Sequence, residues 1–149
     1  MQKTIFTHKK SLITKKEKNI MSRLEHVAIW VKDIETMKSF YVKYFQGKAG
    51  EIYHNPTKQY YSYFISFDSG TRIELMQRAD ILDRLQDSPL FLGITHLAFS
   101  VDSKERVDAL TEQLGADGYK IVSETRTTGD GYYESSVYDP ENNLIEITL

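Results

Sequence analysis

The chain of 149 residues has no cysteine. This excludes disulfides, thiolate chemistry and cysteine-ligated metal sites, so any bound metal must be held by nitrogen and oxygen. Long apolar runs are also missing: no stretch approaches the ~20 residues of a membrane span, and the Lys-rich head lacks the apolar core of a secretory signal. The expectation is a cytoplasmic protein with no membrane partner. A basic excess is absent too. The formal net charge is -2, yet residues 1–20 carry six lysines against Glu17, which leaves the rest of the chain at -7. An acidic body repels phosphate backbones, so no nucleic-acid partner is expected.

The length suits one domain that buries roughly two-thirds of its unfolded surface. Met21 stands directly before the first clear strand, which predicts a basic, disordered extension over residues 1–20 and a single domain over 21–149, with translation beginning at Met21 as one reading of the head.

Within that domain a pattern occurs twice. His26 to Glu74 spans 48 positions and His96 to Glu146 spans 50, while the two histidines are 70 apart and the two glutamates 72. The flanking sequences agree as well: LEHVAIWV at 24–31 matches ITHLAFSV at 94–101, and TRIELM at 71–76 matches NLIEIT at 143–148. Residues 24–77 and 93–149 therefore read as two copies of one module. In the first, strand signals over 24–31, 50–54, 60–68 and 71–77 are interrupted by a helix. Asp33 is its expected N-cap, and Met37, Phe40, Tyr41, Tyr44 and Phe45 form one apolar stripe that ends at Gly47. In the second, a strand at 93–101 precedes a helix from about Ser103 carrying Val107, Leu110 and Leu114, with stop signals at Gly115 and Gly118. Strands follow over 120–125, 132–138 and 144–149. Each module is βαβββ, with residues 78–92 as a linker holding at most a short helix.

Strand alternation then decides which side chains share a face. His26 lies with Ala28 and Trp30, opposite Val27, Ile29 and Val31, and His96 lies with Ala98, opposite Leu97, Phe99 and Val101. Glu74 shares a face with Arg72 and Met76, and Glu146 with Leu144 and Thr148. All four acidic and imidazole side chains are expected on the sheet face away from the helices. Two imidazoles and two carboxylates suit one divalent metal, since two carboxylates cancel its charge and four ligands leave one or two open positions. Nickel, cobalt, zinc, manganese and iron are all compatible. Plainer readings exist for each residue: Glu74 can form an ion pair with Arg72, Glu146 can be a solvated strand residue, and Tyr53, Tyr60, Tyr61, Tyr63, Tyr132, Tyr133 and Tyr138 read as β-propensity and core packing. Trp30, Arg72, Met76 and Arg78 have the stronger pocket claim, because alternation puts them on the ligand face. His8 and His54 carry no functional reading.

The segments EHVAIWVKDIETMKSFY, RIELM, ITHLAFSVD and DPENNLIEI together resemble the vicinal-oxygen-chelate superfamily over residues 24–149. It includes glyoxalase I, methylmalonyl-CoA epimerase, fosfomycin-resistance enzymes, extradiol dioxygenases and bleomycin-resistance proteins. The resemblance implies an α+β fold in which two βαβββ modules form a curved mixed sheet around a metal site, with helices on the outer face. It also implies metal ligation by His26, Glu74, His96 and Glu146, with Glu146 or Glu74 moving a proton through an enediolate of a small-molecule substrate. Substrate contacts fall to Trp30, Arg72, Met76 and Arg78, and a homodimer is the expected assembly. A complete His, Glu, His, Glu set is similar to that of glyoxalase I and of the epimerase. An acyl-CoA epimerase-like enzyme is therefore the alternative reaction, and a bleomycin-type binder without metal or chemistry is the alternative class. One departure concerns the thiol cosubstrate: where bacterial glyoxalase I has an Arg four residues after its first His and an Asn four residues after its first Glu, this chain has Trp30 and Arg78.

Overall fold

A computed structural model describes residues 22–83 and 92–149. The expected extension over 1–20, with His8, and the central part of the expected linker lie outside these residues.

Module one opens with β1 (His26–Trp30), whose side chains alternate between exposed and partly buried, and continues into α1 (Ile34–Phe45). Asp33 caps this helix as expected: its carboxylate accepts the backbone N–H groups of Glu35 at 3.1 Å and Thr36 at 2.9 Å. Met37, Phe40, Tyr41 and Tyr44 of the predicted stripe are buried and Phe45 is partly buried, and Ile34 one turn earlier is buried with them. The helix end differs in detail from the sequence expectation. Gln46, not the glycine after it, adopts the left-handed conformation, with φ of 55°. Gly47 is required for another reason, since a Cβ there would lie 2.4 Å from the Ile65 side chain.

The expected strand over 50–54 is replaced by two short ones, β2 (Lys48–Ala49) and β3 (Tyr53–Asn55). Both pair antiparallel with β4 (Tyr60–Ser66), but Ala49 faces Ile65 while Tyr53 faces Ser62, a slip of one residue. An extra residue between them breaks the ladder in the manner of a bulge. β5 (Arg72–Arg78) closes the module, antiparallel to β4 and parallel to β1.

Module two repeats the plan with β6 (His96–Ser100), α2 (Lys104–Ala116), β7 (Ile121–Thr127), β8 (Tyr133–Tyr138) and β9 (Leu144–Thr148). Ser103 caps α2 through Arg106 N–H at 3.1 Å. The helix runs through Gly115 and stops at Ala116. Gly118, at φ of 90°, then turns the chain so that Tyr119 N–H reaches Leu114 C=O at 3.0 Å.

The strands form two sheets, β1-β5-β4-β2 with β3 beside β4, and β6-β9-β8-β7. The sheets are joined through the side that carries the helices. Phe45 of α1 stacks on Phe99 of β6 with ring centres 4.1 Å apart, Phe40 meets Tyr119 at 5.0 Å, and all the fully buried apolar residues belong to one cluster. Polar clamps reinforce the joint. The Glu141 carboxylate accepts backbone N–H groups of Lys32 and Asp33 at 2.8–2.9 Å, Tyr41 donates to Asp139 at 3.0 Å, and Tyr44 donates to Asp117 at 2.5 Å. Among the described residues no helix is long and apolar enough to cross a membrane.

Candidate metal centre

The repeat of the sequence becomes a repeat of geometry. In module one Ala28 is the register partner of Glu74, and in module two Ala98 is the register partner of Glu146, so each histidine sits two residues before a small side chain facing its glutamate. His26 Nε2 lies 3.8 Å from Glu74 Oε2, and His96 Nε2 lies 3.2 Å from Glu146 Oε2. The histidines are each a little over one-third exposed and the glutamates less, 17% and 24%. Alternation works as expected: Ile73, Leu75, Ile145 and Ile147 are buried on the opposite faces.

The structure thus gathers the four residues as two pairs. Among the described residues no three His, Asp or Glu side chains of one chain form a group able to hold a metal ion. The cause is the joint just described. The modules adhere through their helix-side faces, which leaves the His–Glu faces of β1 and β6 outside the shared core.

The surroundings of the two pairs differ. On module one, His26 Nδ1 donates to Glu25 Oε2 at 2.5 Å, and Glu25 Oε1 accepts from Arg72 Nε at 2.6 Å. The bond from His26, with support from Arg72, holds the Glu25 carboxyl below its ordinary range. Arg72 is therefore committed to Glu25, not to Glu74 as the plain ion-pair reading had it. Tyr60 donates to Glu74 Oε1 at 3.0 Å, and burial, together with this carboxylate, pushes its own hydroxyl upward. Trp30 is 42% exposed and meets Tyr60 edge-on at 6.1 Å. The Arg78 guanidinium lies 5.9 Å from the centre of the Trp30 ring and is ion-paired with Asp80. Met76 is the register partner of Trp30. On module two, His96 Nδ1 meets, among the described residues, only a neutral hydroxyl, that of Thr95 at 3.0 Å. Among the described residues the Glu146 carboxylate is ion-paired with His96 alone.

Sequence reasoning missed Glu25 and filed Tyr60 with the core aromatics. The signal for Tyr60 was available, because Phe64 faces Glu74 across the β4–β5 ladder and Tyr60 lies four residues earlier on the same side.

Residues 23–147 match the model of the Glyoxalase/Bleomycin resistance protein/Dioxygenase superfamily. The chain belongs to this superfamily. Among proteins of the superfamily fold it is similar to a glyoxalase family protein of Enterococcus faecalis, with 24% identity, 85% of this chain and 97% of that one covered, and a TM-score of 0.70. It is similar to the fosfomycin resistance protein FosX of Listeria monocytogenes, with 25% identity, coverage of 87% and 93%, and a TM-score of 0.66. Glyoxalase I of Zea mays gives 22% identity and a TM-score of 0.70 over 85% of this chain and 44% of that one. The Bacillus subtilis protein YqjT is 27% identical over 128 residues, which are 83% of this chain and 96% of that protein.

Proposed function

We propose that this superfamily member is a metal-dependent lyase or isomerase, similar to glyoxalase I, acting on a small molecule with two neighbouring oxygens. One observation carries the reading: the same His–Glu pair is built twice, at the same strand register, on two faces left outside the core. His26, Glu74, His96 and Glu146 are the proposed ligands of one nickel, cobalt, zinc, manganese or iron ion. The donor set fits such an ion, with two imidazole nitrogens and two carboxylates that neutralise a double positive charge. A cation held there would polarise the substrate oxygens and so acidify the C–H next to the carbonyl carbon. The FosX structure, obtained with manganese(II), supports a divalent ion in this fold.

Because one chain brings only two of the four ligands together, we place the complete set between two copies, β1 of one against β6 of the other. Both strands are sheet termini, and terminal strands present unpaired backbone groups that favour further pairing. The apolar side chains nearby are exposed in the single chain, with Leu24 at 64% and Ile94 at 74%. Two-fold pairing would create two equivalent four-ligand sites.

Within each site Glu146 takes the proton-moving role. Among the described residues its carboxylate is tied only to His96, whereas Glu74 is held by Tyr60 and suits a fixed ligand. Trp30 and Met76 form the apolar wall of the substrate site and Arg78 its cationic end. Arg72 serves the site indirectly through Glu25.

The test uses two inactive variants, His26→Ala and His96→Ala, purified separately and then mixed under subunit exchange. A site shared between copies restores roughly a quarter of the parent activity and metal content, since half the dimers are mixed and each has one intact site. A lack of restoration places the site within one chain. A parent protein that retains no metal identifies instead a small-molecule binder.

A further inference from the structure

His26 is held by a network that has no counterpart at His96 among the described residues. A carboxylate only accepts hydrogen bonds, so the 2.5 Å contact between Glu25 Oε2 and His26 Nδ1 requires the hydrogen on Nδ1 and leaves the lone pair of the neutral ring on Nε2. Nε2 is the nitrogen that faces Glu74. Glu25 is itself fixed at both ends of its residue. Its side chain accepts from Arg72 Nε and Nη2 at 2.6 and 2.5 Å, and its backbone C=O accepts from Arg72 N–H at 3.0 Å. Arg72 lies over the Phe64 ring at 4.0 Å, and that ring meets His26 edge-on at 5.5 Å. The imidazole is thus bounded by a charged acceptor, a clamped arginine and an aromatic wall. In module two the position facing the histidine across the ladder is Leu144, not an arginine, and Nδ1 meets the Thr95 hydroxyl, which can donate as well as accept, instead of a carboxylate.

We propose that Glu25, clamped by Arg72, is a positioning residue that presets the tautomer and ring orientation of His26 for metal ligation. The proposal rests on the metal-site reading above. A partner on the second ring nitrogen fixes a histidine ligand and raises its donor strength, and losing such a partner commonly costs about 10-fold to 100-fold in metal affinity. The alternative is an exposed Glu25–Arg72 ion pair of small structural worth, with side chains 48% and 34% exposed. The two differ in what they predict for the imidazole.

The experiment compares the parent, Glu25→Ala and Glu25→Gln, each checked for fold by circular dichroism. The first readout is nitrogen NMR of the metal-free protein in mildly alkaline buffer. The second is affinity for nickel(II) and manganese(II) by competition with a chelator. We expect a single His26 tautomer with hydrogen on Nδ1 in the parent, mixed tautomers in Glu25→Ala, and about a 10-fold or greater loss of affinity in that variant. Glu25→Gln, which keeps an acceptor oxygen, falls between them. Mixed tautomers already in the parent, or unchanged metal affinity in Glu25→Ala, overturn the proposal. Should the parent bind neither metal, the metal-site reading fails, and the NMR comparison still decides whether Glu25 orients the ring.

Discussion

Tyr60 donates its hydroxyl to Glu74 at 3.0 Å, and among the described residues the second copy of the module has no equivalent bond. The corresponding residue is Tyr132, four positions before the Ser136 that faces Glu146, and it is exposed instead. A hydrogen bond to a charged acceptor contributes about 1.5–3 kcal/mol. Tyr60→Phe should therefore loosen Glu74 and weaken metal binding about tenfold or more, whereas Tyr132→Phe should leave it within about twofold. Chelator competition on the two variants checks this. Equal effects of both substitutions would remove the asymmetry on which the choice of Glu146 as base depends.

A second consequence of the joint concerns pH. Asp139 is 3% exposed and accepts from Tyr41, from Asn143 and from the backbone of Glu141. Burial nevertheless wins and raises its carboxyl above the ordinary range, the hydrogen bonds pulling the other way. A raised folded-state value means that the native state binds the proton more tightly than the unfolded chain does. The stability tied to that proton is complete below the ordinary carboxylate pKa of about 3.9 and is lost as pH rises through the raised value. Asp139→Asn should remove this slope. Urea unfolding of both proteins from acid to neutral pH should show their stability difference shifting in the variant's favour as pH rises; parallel curves would show that Asp139 is not perturbed.

The turn after α1 makes a packing prediction. A methyl group at Gly47 meets Ile65 at 2.4 Å and comes within 3.2 Å of Phe67 and of the Tyr41 carbonyl. Ile65 is fully buried, so it has little room to move. Gly47→Ala should cost about 1–3 kcal/mol, the usual range for overpacking, and thermal or urea unfolding measures it.

These residues also show what a sequence discloses. The faces of β1, β5, β6 and β9 were legible because side chains alternate with period two, and His26, Glu74, His96 and Glu146 fall where that rule puts them. Asp33 and Ser103 were legible as caps because helix starts have local chemistry. Gln46 was not, since its left-handed turn yields the place to Gly47 for a contact with Ile65, nearly twenty residues away. Glu25 was hidden because its role depends on Arg72 across a parallel ladder. The separation of the His–Glu pairs was hidden for the same kind of reason: alternation states which way a side chain points on its own sheet, and nothing of how two sheets are joined.

The final prediction concerns substrate. An arginine at position 30 would offer a charged donor to a carboxylate of the thiol cosubstrate, a contribution of about 1.5–3 kcal/mol, and an indole has a single N–H in a different place. Trp30 instead makes an aromatic edge with Tyr60, and its face is approached by Arg78. Arg78 is a cation of this wall that can clasp an anion, and Asp80 already holds it, so an anionic substrate must displace that carboxylate. Asp80→Asn should therefore lower KM for substrates with an anionic end and leave neutral ones unchanged. The parent should show weak or no turnover of the methylglyoxal hemithioacetal of glutathione, and better turnover of a substrate with an apolar or aromatic body against Trp30 and an anionic group near Arg78. Steady-state assay at saturating metal is the check. A specificity constant of ~10⁷ M⁻¹s⁻¹ or above on the hemithioacetal, near the diffusional range, would make this chain a glyoxalase I in substrate as well as in fold, and the reading of Trp30 would be wrong.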